Sequence, residues 1–539
     1  MTAVRDDSAH GPGSAGSADG KPPGYVVVIP TLGRPCLQDC LDALADAHGP
    51  LPRQVVLADD RRDSPDPLPV RVPAVLAGRT AVVTLEGRGP AAARNAGWRA
   101  AAPAPWVAFL DDDVRVGPGW RDELVADLAR QPARVAGVQG TIVVPLPPDR
   151  RPTDTERGTA ALATARWITA DMAYRRGALT AAGGFDERFP RAFREDADLA
   201  LRLLDAGWLL RTGTRVTTHP VRPASRWASL RAQAGNADDV LMSRVHGRGW
   251  YRRAAAEPGR RRGHLVTSTA LASAVLAAGA SRVAAGRGTG RPHRVLLGAS
   301  AVAGAGWLAS TAEFTAARVR PGPRTRGEIA AMAVTSALIP PLAAGHWLRG
   351  QARHRRAAPW PPRPAAVLFD RDGTLIRDVP YNGRPELVEA IPGAVEAVAR
   401  LRSAGIRLGV VTNQSGVGRG LITTEQMEAV NHRVEEVFGP FGAWAVCCHD
   451  EAEGCDCRKP APFLIRQAAA ELGVEPAQCV VIGDIGSDAV AACAAGARAI
   501  LVPAPATRPA ETEGVPVAAT LADAVGAVLD GLPLRSWRR

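Results

Sequence analysis

Two groups of carboxylates in this chain directly follow apolar runs, where a strand would end and a side chain would be held at a sheet edge. In the C-terminal third, Leu368-Phe369 runs into Asp370-Arg371-Asp372-Gly373-Thr374-Leu375. Carboxylates two positions apart suit phosphoryl transfer: one attacks phosphorus, the other protonates the leaving oxygen, and an aspartyl-phosphate results. Gly373 allows the sharp turn such a loop needs. Thr412-Asn413-Gln414-Ser415 follows a second apolar run and offers a hydroxyl and an amide for phosphoryl oxygens. Arg458-Lys459-Pro460 brings an ammonium to balance phosphoryl charge, and Asp484, after Val481-Ile482-Gly483, an oxygen ligand for Mg²⁺. In the N-terminal half, Asp59-Asp60 and Asp111-Asp112-Asp113 end apolar runs of their own. An Asp-x-Asp pair can hold a divalent ion that neutralises a diphosphate leaving group; acidic turns without that role are also common.

Four of the eight cysteines, Cys447, Cys448, Cys455 and Cys457, crowd into eleven residues. Cys447-x-His449 and Cys455-x-Cys457 form a four-ligand set suited to closed structural zinc, the competing reading being reduced thiols without a metal. Cys448 is expected to face away, since alternate residues of an extended segment point to opposite sides. Such a zinc would shape the loop entering Arg458-Lys459 rather than do chemistry.

Composition narrows the classes. A chain of 539 residues with 46% hydrophobic and 22% charged residues is folded material of two to four domains, too poor in cysteine for a disulfide scaffold. Lysine occurs only at Lys21 and Lys459, each before proline, so no Gly-Lys-Ser/Thr phosphate loop exists and nucleotide-driven kinases and motors of that class are excluded. The net charge of +12 invites a nucleic-acid partner. Its arginines are scattered and no nucleic-acid motif accompanies them, so none is expected.

The elements that must position these residues alternate strand and helix twice. Residues 1–23 read as a disordered leader without the apolar core of a secretory signal, which favours a cytoplasmic chain. Residues 24–255 form a first α/β domain: Val26–Ile29, Val55–Leu57, Ala81–Val83 and Trp106–Leu110 read as buried parallel strands, with helices over Leu37–Ala47 and Ala91–Ala101 between them. Residues 256–363 hold three Ala-rich apolar stretches, near 265–281, 295–312 and 329–348, the last interrupted by Pro340-Pro341. They are either membrane spans at the lower edge of length or a soluble helical linker. Two spans would leave the flanking domains on one side and three would separate them; arginine in every connector leaves the positive-inside rule undecided. Residues 364–532 form a second α/β domain with strands at Val367–Phe369, Leu408–Val411 and Val480–Ile482.

The ordered motifs of the first domain resemble an inverting family 2 glycosyltransferase of GT-A fold. They are Pro30-Thr31, Asp59-Asp60, Gly89-Pro90-Ala91-Ala92-Ala93-Arg94-Asn95-Ala96-Gly97, Phe109-Leu110-Asp111-Asp112-Asp113, Gly183-Gly184-Phe185-Asp186-Glu187 and Arg194-Glu195-Asp196-Ala197-Asp198-Leu199. The resemblance implies that Pro30, Thr31, Asp59, Asp60, Arg94 and Asp111 face a nucleotide sugar, with Asp59 and Asp60 at its base and ribose. Asp111 and Asp113 would hold Mg²⁺ or Mn²⁺ on its diphosphate, and Asp196 would be the general base for a glycan or lipid-linked acceptor. Plainer readings stand beside these: Glu195 to Arg202 as the acidic start of an amphipathic helix, Arg94 as a structural ion-pair partner, His219 as structural rather than a further ligand.

The second domain resembles the haloacid dehalogenase phosphatases, with all four motifs in order across about 365–505, and within them the capless subgroup of heptose-bisphosphate and histidinol-phosphate phosphatases. That implies a Rossmannoid fold with Asp370 as nucleophile and Asp372 as general acid/base. Thr412, Asn413, Arg458 and Lys459 would bind phosphate, and Asp370, Asp484 and a backbone carbonyl of Asp372 would hold Mg²⁺, with Asp488 in support. Phe463 and Ile485 depart from the subgroup's pattern and leave the substrate open. A D-glycero-D-manno-heptose 1,7-bisphosphate is the expected sugar phosphate; histidinol phosphate with an unrelated transferase, or phosphorylated nucleic-acid ends, are the rivals.

Overall fold

The computed structural model describes residues 23–63, 66–129, 131–287, 289–358, 360–361, 363–512 and 515–530. Nearly all of the leader expected over 1–23 therefore lies outside the described residues. Eight strands of the first domain, β1 (Tyr25–Thr31), β2 (Val55–Asp59), β3 (Thr80–Thr84), β4 (Trp106–Leu110), β5 (Arg115–Val116), β6 (Val135–Val143), β7 (Asp171–Arg175) and β8 (Leu209–Thr218), form one sheet in the order β3-β2-β1-β4-β7-β6-β8-β5. β1 to β4 pair in parallel, Val27 against Val55 and Val28 against Phe109, whereas β7 runs antiparallel to β4. Helices cover both faces, and Val26 to Ile29 lose all solvent contact. Burial from both sides explains why β1, β2 and β4 read as continuous apolar runs. β3 corrects that expectation for Ala81–Val83: it is the sheet's edge strand, and Val82 is exposed.

The helix Pro90–Ala100 starts with proline at its first turn and lies so close on β1 that a Cβ at Gly97 would come within 2.4 Å of Val28 Cγ1. Glycine there is what lets helix and sheet approach.

Three long helices follow, Arg261–Gly286, Gly290–Val319 and Arg326–Arg353. The first two form an antiparallel hairpin. The third docks on the transferase-like domain at Gly350, where a Cβ would meet Ala237 Cα at 2.8 Å, and its buried Thr335 accepts from Arg318 of the second helix at 2.7 Å. It continues through Pro340-Pro341 without a break, unlike the interruption the sequence suggests. Proline's fixed φ is helical, so its cost is the lost N–H and ring crowding, which the packing around buried Pro340 outweighs.

The second domain is an all-parallel five-stranded sheet in the order β11-β10-β9-β12-β13, from β9 (Ala366–Phe369), β10 (Arg407–Asn413), β11 (Ala443–Cys447), β12 (Cys479–Gly483) and β13 (Arg498–Leu501). It leans on the first domain, with Thr180 Oγ1 3.2 Å from Cys493 Sγ, and in the segment just ahead of it Trp360 Nε1 donates to the Gly183 carbonyl at 3.1 Å.

Candidate active sites

All four motifs of the second domain meet at the carboxyl ends of β9, β10 and β12. The Asp370 N–H donates to the Ile482 carbonyl, which fixes the loop after β9 beside Asp484. Lys459 Nζ donates to Asp370 Oδ1 and to Asp488 Oδ1, both at 2.6 Å, and to the Val411 carbonyl at 2.8 Å. Burial works against that ammonium, yet the two carboxylates outweigh it and hold its pKa above the ordinary lysine range. Burial also pushes Asp370 up to about 8, despite Lys459 and with Asp488, Asp372 and Asp484 adding to the rise. Asp484 is pushed up to about 7 by burial and by Asp488. Asp370, Asp484 and Asp488 offer oxygens within 4.8 Å of one another. More buried negative charge than one lysine can balance is the donor set a hard divalent cation fits.

Asp372 sits slightly apart, its carboxylate accepting from Gln414 Nε2 at 2.7 Å and paired with Arg371 at 3.0 Å. Arg371 is buried and also donates to Asn431 Oδ1 at 2.6 Å. Neither Arg371 nor Asn431 is among the residues expected at the site. An arginine between two functional aspartates was a signal available for the first; nothing local marks the second, which arrives on the helix Thr424–Phe438. Asn413 departs from its expected phosphate contact. Its Nδ2 donates to the Lys459 carbonyl and its Oδ1 accepts from the Lys459 N–H, so both amide atoms hold the lysine's backbone. Thr412 Oγ1, buried, accepts from Gln414 Nε2. Arg458 is partly exposed beside the His449 carbonyl.

The four expected zinc ligands converge. Cys447, Cys455 and Cys457 sulfurs are 3.3 to 3.7 Å apart, and His449 Nδ1 lies 3.6 Å from Cys447 Sγ and 3.3 Å from Cys457 Sγ. Zn–S bonds of about 2.3 Å in a tetrahedron place sulfurs roughly 3.8 Å apart, so the set fits zinc with little movement. Cys448 points away, toward Met427 Sδ at 4.0 Å.

In the first domain, a cleft of about 1510 Å³ opens at the carboxyl end of the sheet, lined by Pro30, Thr31, Asp60, Arg94, Asp111, Asp113 and Asp196 among others. Asp59 is the exception among the expected contacts: Arg61 clamps its carboxylate at 2.7–3.1 Å, below the lining. Asp60 accepts from the N–H groups of Arg88 and Gly89, pinning the loop that opens the Pro90 helix. Thr31 Oγ1 donates to Asp112 at 2.7 Å. Asp111, Asp113 and His219 offer ligand atoms within 4.8 Å of one another, with His219 Nε2 3.5 Å from Asp113. His219 thus lies beside the acidic pair, and the mixed oxygen and nitrogen donors fit Mn²⁺ as well as Mg²⁺. Burial and the neighbouring Asp111 raise the Asp113 pKa, although His219 and Arg222 oppose the rise.

Arg94 crosses the cleft floor, donating to Asp111 at 2.8 Å and to Glu195 at 2.7 Å. Glu195 is pushed up to about 7 by burial and by Asp196 in spite of Arg94, and its second oxygen is buried without a hydrogen bond. Burial likewise raises Asp196, whose Oδ1 accepts from the Ala197 N–H. Both head the helix Glu195–Asp205, where the helix dipole favours negative charge. The preceding Arg194 takes a left-handed conformation, φ 79°, that turns the chain into that helix.

These two sites, each at the carboxyl edge of a mainly parallel sheet, define a pair of fused α/β enzymes. The chain belongs to the haloacid dehalogenase-like hydrolases through its C-terminal domain and carries a family 2 glycosyltransferase domain ahead of it. The profile described as glycosyl transferase family 2 matches residues 26–181; those described as haloacid dehalogenase-like hydrolase and HAD-hydrolase-like match 367–453 and 456–526. The D-glycero-beta-D-manno-heptose-1,7-bisphosphate 7-phosphatase of Pseudomonas putida is 35% identical over 167 residues, 30% of this chain and 95% of that protein. A probable D-glycero-D-manno-heptose-1,7-bisphosphate 7-phosphatase of Thermoplasma volcanium is 34% identical over 122 residues, 22% of this chain and 84% of that one. Among solved structures, the D,D-heptose 1.7-bisphosphate phosphatase from B. bronchiseptica complexed with magnesium and phosphate is 29% identical, covers 31% of this chain and 99% of its own, and has a TM-score of 0.27.

Proposed function

We propose that the C-terminal domain removes a phosphate from a sugar bisphosphate of the D-glycero-D-manno-heptose 1,7-bisphosphate type. The observation that carries the reading is the Lys459 bridge between Asp370 and Asp488. It holds Asp370 oriented for attack at the end of β9. Asp370 Oδ attacks phosphorus while Asp372 protonates the departing sugar oxygen; Asp372 then takes a proton from the water that hydrolyses the aspartyl-phosphate. Lys459 and Thr412 balance and hold the phosphoryl oxygens. Arg371 and Gln414 keep the Asp372 carboxylate aimed, and Asn413 fixes the lysine loop. Mg²⁺ held by Asp370, Asp484 and the Asp372 carbonyl, with Asp488 beside it, would supply charge neutralisation for the phosphoryl group. Zinc on Cys447, His449, Cys455 and Cys457 would fasten the loop that delivers Arg458 and Lys459.

The N-terminal domain, on the same reading, transfers a sugar from a nucleotide donor with inversion. Asp60 and Arg94 line the donor pocket, Asp111 and Asp113 would hold Mg²⁺ or Mn²⁺ at the diphosphate, and Asp196 accepts the acceptor's proton. Both activities would serve one glycan route from the cytoplasm, close to the membrane.

The test is phosphate release by the full chain from heptose 1,7-bisphosphate and histidinol phosphate side by side. Preference for the bisphosphate supports the reading. Preference for histidinol phosphate replaces the substrate, and release that survives in Asp370→Asn removes the assigned nucleophile.

A further inference from the structure

Outside the contacts that its two helices make with each other and with the third long helix, the hairpin of Arg261–Gly286 and Gly290–Val319 leaves its apolar side chains uncovered among the described residues. Leu276 is 73% exposed, Val302 76%, and none of the second helix's apolar window is buried. A helix that lies on a membrane surface is apolar on one face only; one apolar all round needs an apolar surrounding. The charges stand at two levels. Residues 263–281 and 295–312, nineteen and eighteen in number, contain no Asp, Glu, Lys or Arg. At about 1.5 Å per residue they span roughly 27–29 Å, close to the ~30 Å core of a bilayer. At the foot, Arg260 donates to Glu313 at 2.7 and 2.8 Å; at the tip stand Arg282, Arg287, Arg291 and Arg294. Between the levels, Ser300 Oγ donates to the Ala274 carbonyl at 2.9 Å, a polar contact satisfied inside the pair.

The third helix is different in kind. A third of its apolar window is buried, and it docks on the helix Gly235–Val245 through Gly350. It therefore stays with the transferase domain, which leaves two crossings and both catalytic domains on one side. Nine arginines flank the foot (252, 253, 260, 261, 262, 318, 320, 324 and 326) against four at the tip, and the side richer in arginine is the cytoplasmic one.

The transferase cleft runs to this foot. Its lining passes from Asp113 and Asp196 to His264, Phe314 and Ile339, residues of all three long helices. We infer that the α-helical hairpin is inserted in a lipid bilayer and that the transferase acts on an acceptor anchored in that bilayer, presented at the hairpin's foot. This rests on the proposed transferase reading. The acceptor hydroxyl oxygen forms the bond to the anomeric carbon as the bond to the nucleoside diphosphate breaks. The hydroxyl proton passes to Asp196, and the diphosphate leaves with the bonding electron pair.

The experiment uses the full chain with vesicles of phosphatidylethanolamine and phosphatidylglycerol that carry a bacterial lipid extract. After an alkaline carbonate wash the wild-type chain stays with the vesicles. The double variant Leu276→Arg, Val302→Arg is released with its thermal transition intact. With labelled nucleotide sugars, label enters the organic phase for the wild type and falls at least tenfold for the released variant, while nucleoside diphosphate formed by donor hydrolysis is unchanged. If the variant does not fold, trypsin decides on the wild type: cleavage at Arg287 only from the face opposite the domains supports insertion, and cleavage there from the domain side overturns it. Release of the wild-type chain by carbonate overturns the inference, as does nucleoside diphosphate release with all transferred label left in water. No nucleoside diphosphate from any donor defeats the transferase reading and the acceptor with it, and the carbonate wash then separately decides the hairpin.

Discussion

Arg94 and Glu195 stand 101 positions apart in sequence and meet at 2.7 Å in a pair with 2% of either side chain exposed. The same guanidinium reaches Asp111 on the other side, so the proposed donor-metal ligand and the proposed base end of the cleft share one cation. Removing either partner of such a pair would leave an uncompensated buried charge.

That sharing sets a pH dependence. Glu195, pushed up to about 7, carries a proton through part of the neutral range, so the transfer rate climbs as pH rises across about 7 and the acidic pair loses that proton. Arg94 opposes the rise. In Arg94→Met the opposition is gone, the pair holds its proton to higher pH, and the acid limb of the rate profile moves upward. A one-unit move lowers the rate on that limb by about tenfold. A profile that stays in place while the rate falls uniformly would make Arg94 a donor contact only.

Lys459→Met is expected to lower phosphate release by about a hundredfold or more, since it removes the charge aimed at the phosphoryl group and leaves Asp370 and Asp488 facing each other. Phosphate release measured beside metal titration checks this. Activity restored by excess Mg²⁺ alone would mean the lysine balances carboxylates without touching the phosphoryl group.

Elemental analysis of the full chain is expected to find one zinc in the C-terminal domain. Cys457→Ser should lose it together with phosphate release and lower the melting temperature of that domain. Asp370→Asn should keep the zinc while losing the activity. Zinc retained in Cys457→Ser would move the metal elsewhere.

Gly97→Ala places a methyl where Val28 Cγ1 stands, at 2.4 Å. The helix gains intrinsic preference, worth about 1 kcal/mol, but overpacking of about 1–3 kcal/mol acts against it. Net destabilisation of the first domain, read by chemical denaturation, is the expected outcome.

The strands that carry the sites were legible because burial on both faces writes an unbroken apolar run, and Trp106–Leu110 was placed to the residue. The phosphatase motifs were legible for a related reason: the chain ends each such run with the side chain the chemistry needs. What the runs do not encode is how side chains pair once folded. Nothing before Arg61 shows that it will clamp Asp59, or that Asn413 will spend both amide atoms on the lysine loop. Whether His219 was a further ligand or a structural residue stayed open in the sequence, because only the antiparallel pairing of β5 with β8 brings it beside Asp113. The edge position of β3 is likewise a property of strand order, which local pattern does not contain.

Lys459, 3% exposed in its side chain, is one of only two lysines in the chain, the other being Lys21. An amine-directed reagent therefore has, besides the chain's amino terminus, only two lysine targets. Native protein should spare Lys459, and the first appearance of label there during heating or denaturation would time the opening of the phosphatase site with no added chromophore.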